Sequence, residues 1–221
     1  MALALSVPEP PASGPRVPDL ALLDGSRLQP ECDVIRAQGQ SELQAATRLL
    51  QSLYASRGYA ASGLDPDPDL DIILVAAQDG EVTGTLTLRF DSLLGLRADD
   101  TYRDEIDLIR AEGRRACELG RFAVGRSAHS KTVIGALFAR ACEIVRERDE
   151  VTDVFIEVNP RHAPFYRRAF GFSVAAAERT CPRVRAPSVL LRLEVAAFAA
   201  GRGPAASERF ADVFARGRAP D

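Results

Sequence analysis

The pattern of apolar residues predicts an α+β (α/β) fold, a mixed central β-sheet flanked by helices on both faces. Three observations carry it. Two runs of β-type residues, 70–77 and 81–90, flank the dipeptide Asp79-Gly80, a turn signal that makes the pair a hairpin. Apolar runs at 116–124 and 154–158 are separated by a segment of helical periodicity at 131–148, the layout of a βαβ unit. A short helix at 160–170 then leads to a closing pair of strands at 172–174 and 188–193. Such an order combines antiparallel and parallel pairing, and its crossover helices cover both faces of one sheet.

The elements follow in chain order. Residues 1–30 contain six of the 14 prolines and are expected to be a flexible lead-in. A first strand is expected at 32–37. Ser41 is the expected cap of a helix running to about Ser56, with Leu43, Ala46, Leu50 and Leu53 on one face. The stretch 63–69 alternates Asp and Pro and reads as a polar loop. In the hairpin, Val82, Gly84, Leu86 and Leu88 alternate with threonines. Asp99 or Asp100 is expected to cap a helix from Thr101 to about Ala111, ended by Gly113. The helix at 131–148 carries Val133, Leu137, Ala141, Ile144 and Val145 on one face. Gly171 ends the helix at 160–170, and 205–216 is expected to form an amphipathic tail helix. The expected organisation is a lead-in at 1–30, one domain at 31–200 and a helical tail at 201–221.

Composition narrows the function. The chain has 221 residues, 46% hydrophobic and 27% charged, with a net charge of −3. That is globular usage with ample length for one core, and it argues against nucleic-acid binding by bulk charge. Arg supplies all but one of the 28 basic residues, Lys131 being the exception; this bias is what a GC-rich bacterial genome is expected to give. Cys32, Cys117, Cys142 and Cys181 are widely spaced, and only His129 and His162 could join them, so no metal site is expected. No signal peptide and no membrane span is legible. The expectation is a reduced, cytoplasmic protein.

One stretch is more specific. Residues 157–172 read Glu-Val-Asn-Pro-Arg-His-Ala-Pro-Phe-Tyr-Arg-Arg-Ala-Phe-Gly-Phe: a strand ending in Asn, a short helix with Tyr, then Gly-Phe opening the next strand. It resembles the end of the GNAT acyl-CoA N-acyltransferase-like fold. Its Asn-Pro-Arg-His and Phe-Tyr-Arg-Arg details, with Tyr102-Arg103-Asp104-Glu105-Ile106 and Cys117-Glu118-Leu119-Gly120-Arg121-Phe122-Ala123-Val124, are similar to the N-acyl amino acid synthases, GNAT-like enzymes that use long-chain acyl-acyl carrier protein. The resemblance spans about 32–194. It implies no permanently bound cofactor, an acyl-phosphopantetheine donor as substrate, acyl carrier protein as partner and a small amino acid as acceptor. Membrane association is expected only through the lipid product.

One departure from the GNAT pattern concerns the donor. Acetyltransferases place Arg/Gln-x-x-Gly-x-Gly/Ala before the helix that follows the fourth strand, where backbone N–H groups cradle a pyrophosphate. Here 129–134 reads His-Ser-Lys-Thr-Val-Ile, and the glycine positions are Thr132 and Ile134. The loop is a poor pyrophosphate cradle. A single phosphate can still meet Ser130, Lys131 and Thr132, and a carrier protein presents a single phosphate. A plain helix cap is the alternative reading of Ser130 and Thr132.

Amide formation from a thioester needs a base for the amine and an acid for the thiolate. Glu118 lies in an otherwise apolar strand, where its pKa is expected to rise, suiting it to accept the proton. Glu157 is the rival base, reading more readily as a paired buried acid. Simple pleating places Arg121 on the opposite face from Glu118; a bulge after Gly120 would bring them together. Arg121 is a candidate for the acceptor carboxylate, with a plain salt bridge as its alternative. The resemblance implies that this strand splays from its neighbour to admit the pantetheine arm, with N–H groups at Phe122, Ala123 and Val124 meeting it. It also implies Tyr166 as the general acid and Asn159 as a pantetheine ligand; a core aromatic and an N-cap are the alternatives. His162, one helical turn from Tyr166, joins the acceptor site only through the family pattern. Candidates for the acyl pocket are Ile72, Leu74, Leu86, Leu88, Leu93, Leu94, Leu108 and Phe122. The expected function is transfer of a long acyl group from acyl carrier protein to an amino acid's α-amine. The rivals are an acetyl-CoA or acyl-CoA enzyme acting on another amine, an acyl-homoserine-lactone synthase and a non-catalytic acyl-binding module.

Overall fold

The computed structural model describes residues 32–59, 67, 69–78, 80–126, 130–148 and 150–199, without the side chains of Lys131, Phe198 and Ala199. The lead-in at 1–30, the tail helix at 205–216, Asp79 of the hairpin turn and His129 lie outside the described residues. The elements are β1 (Asp33–Arg36), α1 (Gln40–Ala55), β2 (Asp71–Gln78), β3 (Glu81–Phe90), α2 (Asp99–Ala111), β4 (Ala116–Val124), α3 (Ser130–Arg146), β5 (Asp153–Val158), α4 (Ala163–Phe170), β6 (Ser173–Cys181), β7 (Ala186–Glu194) and the short α5 (Val195–Ala199); a 3₁₀ turn at Pro160–His162 precedes α4. The seven strands form one sheet in the order β1-β2-β3-β4-β5-β7-β6. Every neighbouring pair is antiparallel except β4 and β5. No described helix is long and apolar enough to cross a membrane.

Strand alternation sorts the core into two layers. One face of β2–β5, carrying Leu74, Leu86, Leu119, Phe122, Val154 and Ile156, packs against α3 and α4 through Val133, Leu137, Phe138, Tyr166 and Phe170. The other face meets α1 through Ala46, Leu50 and Tyr54, and α2 through Tyr102, Ile106 and Ile109. The expected stripe on α3 is buried throughout. The glycine of β3 belongs to this packing: a Cβ on Gly84 would stand 2.6 Å from Val133 Cγ1 and 2.9 Å from Leu137 Cδ1, so α3 lies this close to β3 only over a bare backbone.

Several boundaries differ from the sequence expectation. Ser41 is not the cap of α1. The N-cap is Gly39, and the Glu42 carboxylate reaches back to the Gln38 and Gly39 N–H groups at 2.9 and 3.1 Å, satisfying donors that a helix start leaves open. α2 begins at Asp99 after Ala98 and is kinked at Tyr102, where φ is −133° and ψ 31°. Neither Asp99 nor Asp100 caps it: Asp99 accepts from Leu96 N at 2.8 Å and from Arg110. The Ala98 N–H instead donates to Glu118 of β4. β6 runs to Cys181, seven residues beyond the expected strand, because β7 pairs with it from Ser173↔Arg192 to Cys181↔Ala186. The segment Ala175-Ala176-Ala177 has weak strand propensity and takes its conformation from that pairing. Leu93, Leu94 and Leu108 are exposed, on the β3–α2 loop and the outer side of α2. Leu108 falls out of phase with the buried stripe Tyr102, Ile106 and Ile109. Ile72, Leu74, Leu86, Leu88 and Phe122 are buried in the core that contains the α3 stripe.

Candidate active site

β4 and β5 part company early. They pair at only three positions, Ala116↔Asp153, Cys117↔Val154 and Glu118↔Phe155. β5 goes on beside β7 as far as Val158, and β4 goes on beside β3 as far as Val124. Between them a split opens toward the C-terminal ends of both strands, and alternate peptide groups of 119–124 face it. Glu118 stands at its root.

A bulge shapes β4 at this point. Thr87 pairs with Gly120 and Thr85 with Ala123, so Leu86 opposes both Arg121 and Phe122. Arg121 takes the bulged position with φ +47°, a left-handed conformation that costs a non-glycine residue roughly 1–3 kcal/mol. The bulge brings Arg121 to the face of the sheet that carries Glu118 and Gly120. There it lines a small cavity of about 20 Å³ with Leu43, Thr47 and Leu50 of α1 and Ile73, Thr85 and Thr87 of the sheet. Phe122 is sent to the other layer, against Phe138 at 5.3 Å, and Ala123 returns beneath Tyr54.

Both chemical groups on this face are deeply buried, Glu118 at 1% exposure and Arg121 at 3%. Glu118 is therefore not an exposed residue at a strand start; its Oε2 accepts the Ala98 N–H at 3.0 Å. Above Gly120 the face is open: a Cβ there would meet only Glu118 Oε1, at 3.5 Å. Burial and the neighbouring Arg97 and Arg89 guanidiniums lower the Arg121 pKa to about 10, against the opposing pull of Asp71. Asp71 receives Arg97 at 2.5 Å and Arg89 at 2.9 Å, with Arg121 at 3.6 Å. Burial works to raise its pKa, but the Asp67 N–H and these arginines hold it below the usual carboxylate range.

Glu157 has the paired role. Its carboxylate accepts from Ser188 Oγ at 2.7 Å and from Arg183 Nη2 at 2.5 Å. Arg183 stands on the β6–β7 turn and reaches Asp100 at 2.5 Å and the Arg97 carbonyl. It ties that turn to the start of α2 and to β5.

Tyr166, on α4, is fully buried among Phe138, Phe165, Phe170 and Phe172. It is a core aromatic by packing, yet its hydroxyl has no hydrogen-bond partner among the described residues. Burial, and to a smaller extent the Tyr54 phenol, push its pKa well up, so the proton stays on the oxygen until a stronger base arrives. Asn159 is the N-cap of the 3₁₀ turn: Oδ1 accepts from Arg161 N at 3.2 Å, and Nδ2 donates to Tyr59 Oη at 3.2 Å and to the Pro187 carbonyl at 3.3 Å. His162 is half-buried and accepts on Nε2 from Arg161 Nε at 3.2 Å, with Arg57 Nη1 at 3.4 Å. Burial and these two cations lower its pKa to about 4, so the imidazole is neutral and tied to the end of α1. Ser130 opens α3 and donates its hydroxyl to the Gly125 carbonyl at 2.9 Å. Thr132 follows on the first turn, half-buried. The Lys131 side chain lies outside the described residues.

The fold thus brings Glu118, Gly120, Arg121, Phe122, Ala123 and Val124 to one strand at the split, with Tyr166 and Asn159 beside it. Sequence reasoning missed Asp71, Arg97 and Arg183 as neighbours of this face. Asp71 within an apolar run was a legible signal, since a buried carboxylate needs partners. Arg183, in a turn, gave none.

The family model described as N-acyl amino acid synthase FeeM matches residues 45–194. Among solved structures, FeeM, an N-acyl amino acid synthase from uncultured soil microbes, superposes with a TM-score of 0.68 at 24% identity, covering 76% of this chain and 92% of that one. The AHL synthase LasI has a TM-score of 0.54 at 15% identity, over 79% of this chain and 95% of its own. An acetyltransferase of the GNAT family from Streptococcus pneumoniae gives 0.53 at 13%, over 74% and 99%. These likenesses place the fold with the GNAT acyltransferases. No curated protein sequence matches the chain.

Proposed function

The chain belongs to the N-acyl amino acid synthase FeeM family of acyltransferases, and on that premise we propose that it moves a long-chain acyl group from acyl carrier protein to the α-amine of an amino acid. The pantetheine arm enters the split and meets the peptide groups of Phe122, Ala123 and Val124, with Asn159 at the far side. Ser130, Lys131 and Thr132, at the start of α3, take the single phosphate. The acceptor lies over Gly120. Glu118 removes a proton from its ammonium, and the amine attacks the thioester carbon. The C–N bond forms, the C–S bond breaks, Tyr166 gives its proton to the departing sulfur, the second proton on nitrogen passes through solvent to the Tyr166 phenolate, and Glu118 releases its proton to solvent. Arg121 takes the acceptor carboxylate, with His162 at the rim of the same site.

The observation that carries this reading is the β4 bulge. It turns Arg121 onto the face of Glu118, beside the open space above Gly120. A carboxylate and a guanidinium flanking one small space match the ammonium and carboxylate of a free amino acid. Donor choice follows from Thr132 and Ile134, which replace the glycines of a pyrophosphate cradle.

The test is to incubate the purified protein with long-chain acyl-acyl carrier protein and a panel of amino acids, with mass spectrometry of the organic extract. N-acyl amino acids are the expected products. Acyl-acyl carrier protein should exceed acetyl-CoA in kcat/KM by at least about tenfold, equivalent to ~1.4 kcal/mol. Comparable values for the two donors would overturn the donor. Equal use of amines lacking a carboxylate would overturn the acceptor.

A further inference from the structure

Turn tips are ordinarily polar, yet the loop between β3 and α2 carries two leucines at its tip. The Gly95 N–H donates to the Ser92 carbonyl at 2.9 Å and closes a β-turn. Leu93 and Leu94 are its two central residues, 108% and 76% exposed. This exposure does not come from slack in the chain. Asp91 Oδ1 accepts from Ser92 N at 3.1 Å, and Ser92 Oγ from Leu94 N at 3.2 Å. Arg110 clamps both ends of the loop, meeting Asp91 at 2.7 Å and Asp99 at 2.8 Å. The leucines are held outward on a fixed frame. Beside them lies a cleft of about 520 Å³, whose lining includes Leu93, Phe90, Arg115, Arg148 and Glu150. Arg110 and Arg114 also line it, but Asp91, Asp99 and Asp153 take up their charge. Arg115 and Arg148 are exposed and have no carboxylate partner among the described residues. Arg148 lies over the Phe90 ring at 4.1 Å, a face contact that leaves its N–H edges unbonded. Exposed leucines beside such guanidiniums suit an anionic lipid surface: apolar side chains enter the acyl boundary while the guanidiniums meet headgroup phosphates.

We propose that this end of the protein rests on an anionic membrane, with Leu93 and Leu94 inserted among the headgroups and Arg115 and Arg148 on the lipid phosphates. The contact is made by the protein itself and goes beyond any association through a lipid product. A membrane fits this surface better than a protein partner does, because two leucines on a projecting tip need an apolar medium that yields around them, which acyl chains provide. The location agrees with a soluble donor. The Asp91 N–H donates to the Ala116 carbonyl at 3.0 Å, so the loop stands where β4 begins, whereas the split opens toward the other ends of β4 and β5. A membrane under the loop leaves the mouth of the split to a carrier protein.

Vesicle flotation of the full chain tests this. No substrate is present, so the outcome does not depend on the acyl transfer proposed above. The protein should float with vesicles of equal parts phosphatidylglycerol and phosphatidylcholine and stay behind with phosphatidylcholine alone. The double variant Leu93→Ser, Leu94→Ser should weaken partitioning roughly tenfold or more. The double variant Arg115→Gln, Arg148→Gln should weaken it by roughly the same factor and blunt its response to added salt. Melting temperatures should stay close to that of the wild type, since all four side chains are exposed. Failure to float with the anionic vesicles overturns the proposal, as does flotation that either variant retains in full or that is equal on the two lipids. Sedimentation velocity of the free protein runs alongside. A dimer that Leu93→Ser, Leu94→Ser breaks would assign the leucines to a second copy of this chain and overturn the membrane contact.

Discussion

Glu118 does two things with one carboxylate. Oε2 holds the Ala98 N–H at the start of α2, and Oε1 lies at the edge of the open space above Gly120. Glu118→Gln preserves the first, since an amide oxygen also accepts, and removes the second. kcat should fall roughly 10²–10⁴-fold, the usual worth of a general base. Part of it should return at high pH, where the acceptor amine is already deprotonated. A full pH–rate profile checks this, and a Gln variant of normal rate moves attention to Glu157. Gly120→Ala probes the neighbouring space. Its methyl would stand in ordinary contact with Glu118 and touch nothing else, so stability should hold while the acceptor KM rises several-fold; an unchanged acceptor KM in steady-state kinetics would place the acceptor elsewhere. Arg121 was legible as a candidate from its residue type and spacing, but not its direction. Pleating alone sends it away from Glu118, and only the bulge reverses that.

At the scale of elements, the site depends on how tightly α3 seats on the sheet. Gly84 pairs with Val124, the last residue of β4, and sits directly beneath Val133 and Leu137. Gly84→Ala inserts a methyl where no room exists. It should cost about 1–3 kcal/mol, as overpacked cores do, readable as a lower denaturation midpoint with an unchanged slope. Because the displaced backbone borders the split, kcat/KM for the donor should fall with it. A stable, fully active Ala variant would show that α3 can shift freely. The β6–β7 hairpin acts at the same scale: Arg183 carries its turn to Glu157 and Asp100, so a strand pair distant in sequence becomes one wall of the site.

For the whole molecule, acid stability follows from groups whose titration the fold displaces. His162 titrates at 6.5 when exposed and near 4 in the fold, lowered by burial and then by Arg161 and Arg57. Between those values the unfolded chain binds the extra proton, so stability rises with pH across about 4 to 6.5 and is constant above. His162→Gln should flatten the melting temperature across that window. Asp71 and Asp153 are held below the usual carboxylate range by their arginine and hydrogen-bond partners. Their contribution is present above the unfolded carboxylate pKa and lost as the pH falls through the folded value, so the acid limb below about pH 4 should survive in the variant. Melting curves of both proteins from pH 3 to 8 decide it, and a Gln variant with the same slope would mean that the buried imidazole is already charged.

Local pattern was enough for much of this protein. The hairpin about Gly80, the β4–α3–β5 unit, the helix ended by the left-handed Gly171 and the segment from Glu118 to Val124 each announce themselves through periodicity, turn residues or charge in an apolar run. These are properties of neighbouring residues, and neighbouring residues are what a sequence lists. The rest was set by strand register and by partners far away in the chain. The Arg121 bulge carries no glycine, proline or asparagine of its own and arises from where β3 and β4 pair. β6 extends through three alanines because β7 lies beside it. The start of α2 is held by a carboxylate twenty residues on. Which side chains share a face depends on those long-range pairings, and without the bulge in the β3–β4 register Arg121 would face away from Glu118.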